Sequence, residues 1–456
     1  MQEKITIEQT LSKLIEEKKY PTIKDILVTM NPMDIASVLQ NTDSADMTKL
    51  FRLLPKETAA ECFVEMEPDY QEELISCFSD KELTEVINEL YVDDAADLVE
   101  EMPANVVKRI LSNTKEGFRK EINEILKYPE NSAGSIMTTE YVSLRPDMTI
   151  KEALERIKKT AIDKETIYTC YVTEKRMLLG VVTVKDLIIA KDDEEKIKNI
   201  METNVICATT LTDREETSQM LRKYGFLALP IVDGDNRMVG IVTFDDAMDV
   251  IIDEVSEDIG IISGMSTSEK SYLHTSAFEL FLHRIPWLLL LMVSATFTGL
   301  IISSFEDALT KVAVLTAFIP MLMDTGGNSG SQASVTIIRA LSLGEIKFSD
   351  LPRVIFKEFS ASILCAAAIS VACFAKIMLI DHLLLGNDSI NVIVALCVCA
   401  SMALTVIVAK FIGCALPMIA KKLKFDPAVM ASPFITTIVD AISLLVYFAF
   451  ANAILF

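Results

Sequence analysis

The sequence predicts a multidomain protein with four parts in chain order. They are a cytosolic all-α superhelix over residues 1–128, a duplicated α/β pair over 129–253, a connecting helix over 254–283 and a five-helix all-α transmembrane domain over 284–456. Three observations predict it. Residues up to about 284 are rich in charge, with acids well ahead of bases, whereas from Pro286 onward long apolar runs dominate and charge gathers in short connectors. The charged half contains two repeat systems of different period. The apolar half contains stretches long enough to cross about 30 Å of hydrocarbon.

The first part shows apolar residues recurring about every twelve positions, each ahead of a polar or Pro-containing turn: Met30, Leu54, Met66, Phe78, Leu90 and Met102. Short helical patterns follow, as in LPKETAAECFVEM and LYVDDAADLVEEM. Helices this short have a core only through stacked neighbours, which is the logic of a superhelix. The acids Asp93, Asp94, Asp97, Glu100 and Glu101 read first as solvated turns and faces and second as cation ligands.

The second repeat is longer. SIMTTEYVSLRPDMTIKEALERI (135–157) corresponds to NIMETNVICATTLTDREETSQML (199–221), and LLGVVTVKDLI (178–188) to MVGIVTFDDAM (238–248). Each unit supplies a short strand, a helix, a hairpin pattern around a Gly and a closing helix. This resembles a tandem pair of cystathionine-β-synthase-type (CBS) domains. The pattern G-h-h-T-x-x-D, with h apolar, occurs as Gly180, Thr183, Asp186 and again as Gly240, Thr243, Asp246. The resemblance implies that such a Thr hydroxyl and Asp hold the ribose of an adenine nucleotide such as ATP. The same residues also serve as helix caps, and both readings stay open.

After the second unit comes DDAMDVIIDEVSEDIGIISGM, where Asp245, Asp246, Asp249, Asp253, Glu254, Glu257 and Asp258 crowd a helical stretch. Asp246, Asp249 and Asp253 share one face at i, i+3 and i+7, and like charges at such spacing repel by a few tenths of a kcal/mol each. A hard divalent cation bound through oxygens relieves that repulsion. The run joins the duplicated modules to the first apolar stretch, so it reads as a cation sensor. An excess of acid over base, with a net charge of −22, suits cations and argues against nucleic acid.

Five apolar stretches are expected to cross the bilayer, over 285–304, 308–337, 360–380, 390–420 and 428–455, with breaks expected at Gly326, Gly327, Gly330 and Pro417. Arg339, Lys347, Arg353 and Lys357 lie between the second and third, and Lys421, Lys422 and Lys424 between the fourth and fifth. The connector DHLLLGNDSI carries no Lys or Arg. Basic connectors stay in the cytoplasm. The polar opening MQEKITIEQT lacks the apolar core of a secretory leader. Together these place the amino terminus in the cytoplasm and, after five crossings, the carboxyl terminus outside. The nine cysteines show no metal spacing and read as reduced packing residues.

Two features break the apolar pattern. In PMLMDTGGNSGSQAS, Asp324, Asn328 and Gln332 fall at i, i+4 and i+8 on one helical face, which suggests a surface lining water or an interface. In SPFITTIVDAISLLVYFAFANAILF, Asp440 is a carboxylate in the middle of a span, costly unless something pairs with it or hydrates it. Lys410 of the fourth stretch is one partner to weigh, and a cation is the other. The tripeptide DTG also raises an intramembrane aspartyl protease, although a second D-[TS]-G loop is absent. GGNSG lacks the Gly-Lys-Ser/Thr of a phosphate loop. The three histidines have no metal partner at helical spacing, so catalysis is not expected.

The acidic superhelix, the CBS pair, HRIPWLLLL, PMLMDTGGNSGSQ, FDPAVMASPFITTIVDAISLLVYF and the junction YPENSAGSIM together resemble the MgtE family of bacterial magnesium channels over nearly the whole chain. The resemblance implies a homodimer in the cell membrane with the ion path between subunits. It implies that Asp440 binds Mg2+ in the pore, that the Thr436 carbonyl faces the same ion, and that Asn328 and Gln332 lie near it. It implies a plug over about 254–280, with Asp246, Asp249, Glu257 and Asp258 in regulatory Mg2+ sites and Asp94 and Asp97 as further acidic positions. The expected activity is inward Mg2+ flux gated by cytosolic Mg2+. The rivals are a channel or secondary transporter for another divalent such as Co2+ or Mn2+, the protease, and a membrane scaffold without flux.

Overall fold

A computed structural model describes residues 7–266, 272, 275–387, 389–430 and 432–455. The expected connecting helix over 254–283 thus falls in part, at 267–271, 273 and 274, outside the described residues. The chain divides into two compact units, Met1–Asp253 and Glu254–Phe456.

Among the described residues the first unit opens with ten short helices: α1 (Ile7–Glu16), α2 (Tyr20–Leu27), α3 (Pro32–Gln40), α4 (Ser44–Phe51), α5 (Lys56–Val64), α6 (Pro68–Cys77), α7 (Asp80–Ile87), α8 (Val92–Glu101), α9 (Ala104–Asn113) and α10 (Glu116–Ile125). Local chemistry starts them. The Asn31 and Asp43 side chains cap α3 and α4, a Ser79–Glu82 capping box opens α7, and Pro32 and Pro68 occupy first-turn positions where a missing N–H does no harm. Alternate helices pack together, α3 on α5, α5 on α7, α7 on α9 and α8 on α10. Met66, Phe78, Leu90 and Met102, the expected turn-preceding residues, are buried in one continuous core with Leu39, Phe51, Phe63 and Leu74. Arg109 of α9 reaches back to the Ile75 carbonyl at 2.6 Å and to Asp80 at 3.1 Å, tying one repeat to the next.

Two three-stranded sheets follow, with the same order. In the first, β1 (Tyr141–Leu144) runs parallel to β2 (Thr166–Glu174), which pairs antiparallel with β3 (Met177–Thr183). In the second, β4 (Ala208–Thr209), β5 (Ala228–Val232) and β6 (Met238–Thr243) repeat that arrangement. The repeat extends to register: Thr169 faces Thr183 as Ala228 faces Thr243. The segment leading into each unit crosses to the other's sheet, with Thr138 bridging Ile241 and Glu202 bridging Val181. Helices α11 (Ile150–Thr160), α12 (Val184–Ile189), α13 (Ile197–Ile200) and α14 (Arg214–Tyr224) complete the pair, and α15 (Phe244–Ile262) runs from the first unit into the second.

The second unit contains α16 (Ala277–Ser304), the short α17 (Glu306–Lys311), α18 (Ile319–Ser342), α19 (Leu351–Lys376), α20 (Val392–Lys422) and α21 (Ser432–Leu455). Among the described residues four stretches are long and apolar enough to cross a membrane: Ala277–Ser304, Phe348–Leu384, Val392–Lys422 and Pro427–Leu455. Helix α18 has the length, but its Asp, Asn, Gln, Ser and Gly content keeps it out of that set. No residue in the apolar window of α16 is fully buried within the chain, whereas 56% of that of α20 is buried, against α18, α19 and α21.

Two expectations for this unit are corrected. The second stretch does not run unbroken over 308–337, because a 3₁₀ turn at Ala313–Phe318 separates α17 from α18. Conversely, α18 continues through Gly326, Gly327 and Gly330, and α20 continues through Pro417. These glycines pack rather than break. A methyl on Gly413 of α20 would overlap the Gly330 carbonyl, and one on Gly326 would come within 2.7 Å of Thr405 and Ser443 side chains. Hydrogen bonds along a helix in an apolar setting have no water to exchange with, so the glycines keep their ladder and allow close approach.

Candidate functional site

The polar stripe of α18 takes the predicted form. Asp324, Asn328 and Gln332 are exposed, while Gly326, Gly327, Gly330, Ala333 and Ser334 on the opposite side are buried. Asn328 Nδ2 donates to Asp324 Oδ1 at 3.0 Å, one turn apart. Helix α21 packs along this helix and brings Asp440, half-buried, to the same place. A Cβ on Gly327 would lie 3.0 Å from Thr436 Cγ2 and 3.7 Å from Asp440 Oδ1, so it would crowd Thr436 and just touch Asp440. Thr436 keeps its hydroxyl inside its own helix by donating to the Pro433 carbonyl at 2.9 Å. Asp324 is the charged side chain that acts on Asp440. Lys410, buried at 9% exposure, forms no ion pair with Asp440 among the described residues. Two carboxylates and an amide therefore share one region of the α18–α21 contact, an oxygen-rich surface suited to a hydrated hard cation.

The acidic run of α15 separates into two groups. Within the first unit, Asp245, Asp246 and Asp249 face acids from elsewhere in the fold. Asp246 lies near Asp93 and Asp245, Asp94 near Asp246 and Glu65, and Asp97 near Asp93 and Asp246. Asp253 acts on Asp249. Burial comes first and like charge second in raising these carboxyls. Asp94 is pushed up to about 7, and Asp93, Asp97 and Asp246 are raised in the same direction. Burial and then Asp249 and Asp245 raise Glu65, while burial and then Asp253 and Asp245 raise Asp249. Among the described residues no three His, Cys, Asp or Glu side chains stand at direct metal-ligand spacing. The acids are within electrostatic reach of one another without forming a closed shell.

Within the second unit, burial and then Asp426, Glu254 and Glu257 push Asp258 up to about 6, against a hydrogen bond from Ser342. Ile261 and Ile262 of the same helix pack on Ile338 of α18 and on Ala428. The end of α15 is thus seated on α18 and on the segment leading into α21, the two helices that carry Asn328 and Asp440.

Both G-h-h-T-x-x-D copies cap helices. Thr183 and Asp186 form a reciprocal box at the start of α12, with Asp186 N donating to Thr183 Oγ1 at 3.1 Å, and the Thr243 hydroxyl donates to Asp246 at the start of α15. Sequence reasoning passed over Glu65, Glu140, Glu165 and Asp426, isolated acids with no pattern to flag them.

An acidic helical repeat and a CBS pair, joined by one helix to a unit of long apolar helices, define a membrane protein with a large acidic region ahead of its apolar helices. Comparison with known proteins narrows this. The MgtE family, described as a divalent cation transporter, matches residues 319–450; the MgtE intracellular N domain matches 30–131; and CBS domains match 133–193 and 197–253. Similar proteins include the magnesium transporter MgtE of Bacillus subtilis, 33% identical over 96% of this chain and 95% of its own length. Another is that of Thermus thermophilus, 33% identical over 100% of this chain and 99% of its own. The crystal structure of the cytosolic domain of the Mg2+ channel MgtE in complex with ATP is similar over 54% of this chain and 100% of its own, with 33% identity and a TM-score of 0.51. The chain belongs to the MgtE family of magnesium transporters.

Proposed function

We propose that this chain conducts Mg2+ inward across a bacterial plasma membrane as a homodimer, and that Mg2+ bound to its acidic groups holds it closed. The observation that carries the reading is Asp440 set beside Gly327, with Asp324 acting on it and the stripe of Asp324, Asn328 and Gln332 left open. In this reading α18 is the fifth crossing helix, its polar face turned to an ion path rather than to lipid. The amino terminus is cytoplasmic and the carboxyl terminus outside.

Mg2+ gives up its inner waters reluctantly, so one or two carboxylates that contact the hydrated ion suffice to select it. Two Asp440 side chains across a dimer axis favour a divalent over a monovalent ion. The membrane potential drives entry with about 2.3 kcal/mol per charge per 100 mV, so no catalytic step is needed. For gating, Asp94, Asp97, Asp245, Asp246, Asp249 and Asp253 form one regulatory group, and Glu254, Glu257 and Asp258 another at the plug. Bound ions relieve repulsion within each group and stabilise the packed state, and their loss frees the plug. An ion shifts this balance only through its affinity difference between the two states. The relative's cytosolic domain in complex with ATP supports nucleotide binding at Thr183 and Asp186, or at Thr243 and Asp246.

The family description as a divalent cation transporter favours a second reading, in which Co2+ or Mn2+ also passes. Purified protein in liposomes containing a magnesium-sensitive dye tests both: Mg2+ entry is expected, and parallel traces with Co2+ and Mn2+ set the selectivity. No entry of any divalent would end the transport reading.

A further inference from the structure

Two basic connectors, far apart in the chain, meet at one end of the second unit. Lys347, Arg353 and Lys357 follow α18, and Lys421, Lys422 and Lys424 close α20. Apolar packing joins them, because Ile346 and Phe348 cluster with Leu341 of α18 and Met418 of α20. Lys421 Nζ donates to the Leu341 carbonyl at 3.3 Å, and Lys422 Nζ lies 4.3 Å from the centre of the Phe348 ring. Helices α18 and α20 end in the same turn, with Glu345 N donating to the Ala340 carbonyl and Phe425 N to the Ala420 carbonyl, each at 2.9 Å. Gly344 makes the first turn at φ +69° and Lys424 the second at φ +62°. Glycine takes that left-handed conformation freely and lysine does not, so the chain keeps a charge here where glycine fits better.

That charge has no counterpart in the chain. Asp350 Oδ2 accepts from Lys347 N at 3.0 Å, Asp350 Oδ1 lies 3.9 Å from Arg353, and Asp426 Oδ1 accepts from Ala428 N at 2.8 Å. Among the described residues no carboxylate, Glu345 and Glu358 included, forms an ion pair with Lys347, Lys357, Lys421, Lys422 or Lys424. All five lysines are exposed. Like charges gathered in one place repel, so the group lacks an anion. The surroundings say which anion fits. Phe356, Leu423 and Phe425 stand next to these bases in sequence and are 73%, 61% and 64% exposed. The bases lie where long apolar helices end, the level at which a bilayer presents its phosphates. Apolar side chains that enter the acyl region beside ammonium groups that reach the headgroup suit a phospholipid, and a soluble anion has no use for them.

We propose that Lys347, Lys421, Lys422 and Lys424 hold the headgroup phosphate of an anionic phospholipid in the leaflet that these connectors meet. The inference does not rest on the pore or the gating reading and needs only that α18, α19 and α20 lie in a bilayer. The lipid ties the two connectors together across the end of α18. Lys421 holds the last turn of that helix, and Ser342 in the same turn bonds Asp258 of α15. Headgroup binding therefore stiffens the place where the end of α15 sits, and makes the packing of the second unit sensitive to lipid charge.

The test uses the full chain in nanodiscs of phosphatidylcholine, alone or with about a quarter phosphatidylglycerol, read by thermal unfolding. Native mass spectrometry of detergent-purified protein counts the phosphatidylglycerol retained. The anionic lipid is expected to raise the melting temperature of the wild type by roughly 2–4 °C. Lys347→Gln, Lys422→Gln and Lys424→Gln combined should abolish that rise and leave the melting temperature in phosphatidylcholine unchanged. Lys421 stays in place, because it bonds the Leu341 carbonyl. Each charge removed should lower lipid retention about fivefold, as one base near an anionic headgroup does. Arginine at the same three positions keeps the charge and should keep both the rise and the retained lipid. A wild type indifferent to phosphatidylglycerol, or a glutamine variant with the full rise, would overturn the proposal. An equal rise with inorganic phosphate in detergent would make the ligand a soluble anion. A glutamine variant already less stable in phosphatidylcholine would assign the lysines to the chain's own carboxylates, and either result counts against the lipid.

Discussion

Asp440 and Asp246 are both carboxylates held partly out of water, and the two units hold them in opposite ways. Asp440 sits on a long helix fixed by close packing against glycines, with one other carboxylate, Asp324, acting on it. Asp246 sits where several chain segments meet, with Asp93 and Asp245 close by and Asp94 and Asp97 beyond. The first arrangement is set by close backbone packing at the glycines. The second is set by repulsion, so its closeness depends on what neutralises it. A conducting site needs the first property and a sensor the second.

The largest expected effect attacks the rigid side of that contrast. Gly413→Leu drives a side chain into the Gly330 carbonyl, and overpacking at a backbone contact costs about 3 kcal/mol or more. The variant is expected to lose its monodisperse peak on size exclusion in detergent. Replacing Gly327 with Ala is milder, moving Thr436 by a few tenths of an ångström beside Asp440 and lowering flux more than stability.

The second prediction concerns the repulsive side. Asp93→Asn together with Asp246→Asn is expected to stabilise the metal-free soluble unit by roughly 1–3 kcal/mol, because buried like charge is removed. The same variant should abolish protection by Mg2+ against protease. Loss of stability in the metal-free state would contradict the account.

The third prediction is a pH dependence. The carboxyl of Asp94 is raised to about 7 in the fold, against about 3.9 in an unfolded chain. A group raised in this way contributes stability that is full below the unfolded value and lost as pH rises through the folded one. Metal-free protein should therefore melt at progressively lower temperature between about pH 4 and 7. Saturating Mg2+ should flatten that slope. The smallest effect is expected for Thr183→Ala, which removes a cap worth about 1 kcal/mol and should lower the melting temperature of the soluble unit by roughly 2–4 °C.

Much of this was readable in the sequence because it is periodic or out of place. The twin G-h-h-T-x-x-D strings announced two equivalent units, and the two sheets share strand order and register. Asp324, Asn328 and Gln332 announced an exposed face by spacing alone. Other features leave no local trace. Ala313–Phe318 is as apolar as the start of α18 that follows it, so hydropathy does not mark the break before α18. Glycine in an apolar helix signals either a kink or close packing, and the partner that decides, such as Gly330 for Gly413, lies on another helix. The acids of α15 follow one helical rhythm, yet Asp246 joins Asp93 while Asp258 joins Asp426. Glu165 stands 72 and 81 positions from Asp93 and Asp246 (165 − 93 and 246 − 165), so only the fold brings them into one group.

The central claim is that Asp440 is the carboxylate through which Mg2+ passes. It is tested most directly by Mg2+ entry into liposomes carrying wild-type protein or Asp440→Ala, at matched reconstitution and with the melting temperature checked in detergent. Flux that falls to the level of empty liposomes, from a variant that still folds, is the predicted result. Flux within twofold of wild type would place the ion path elsewhere.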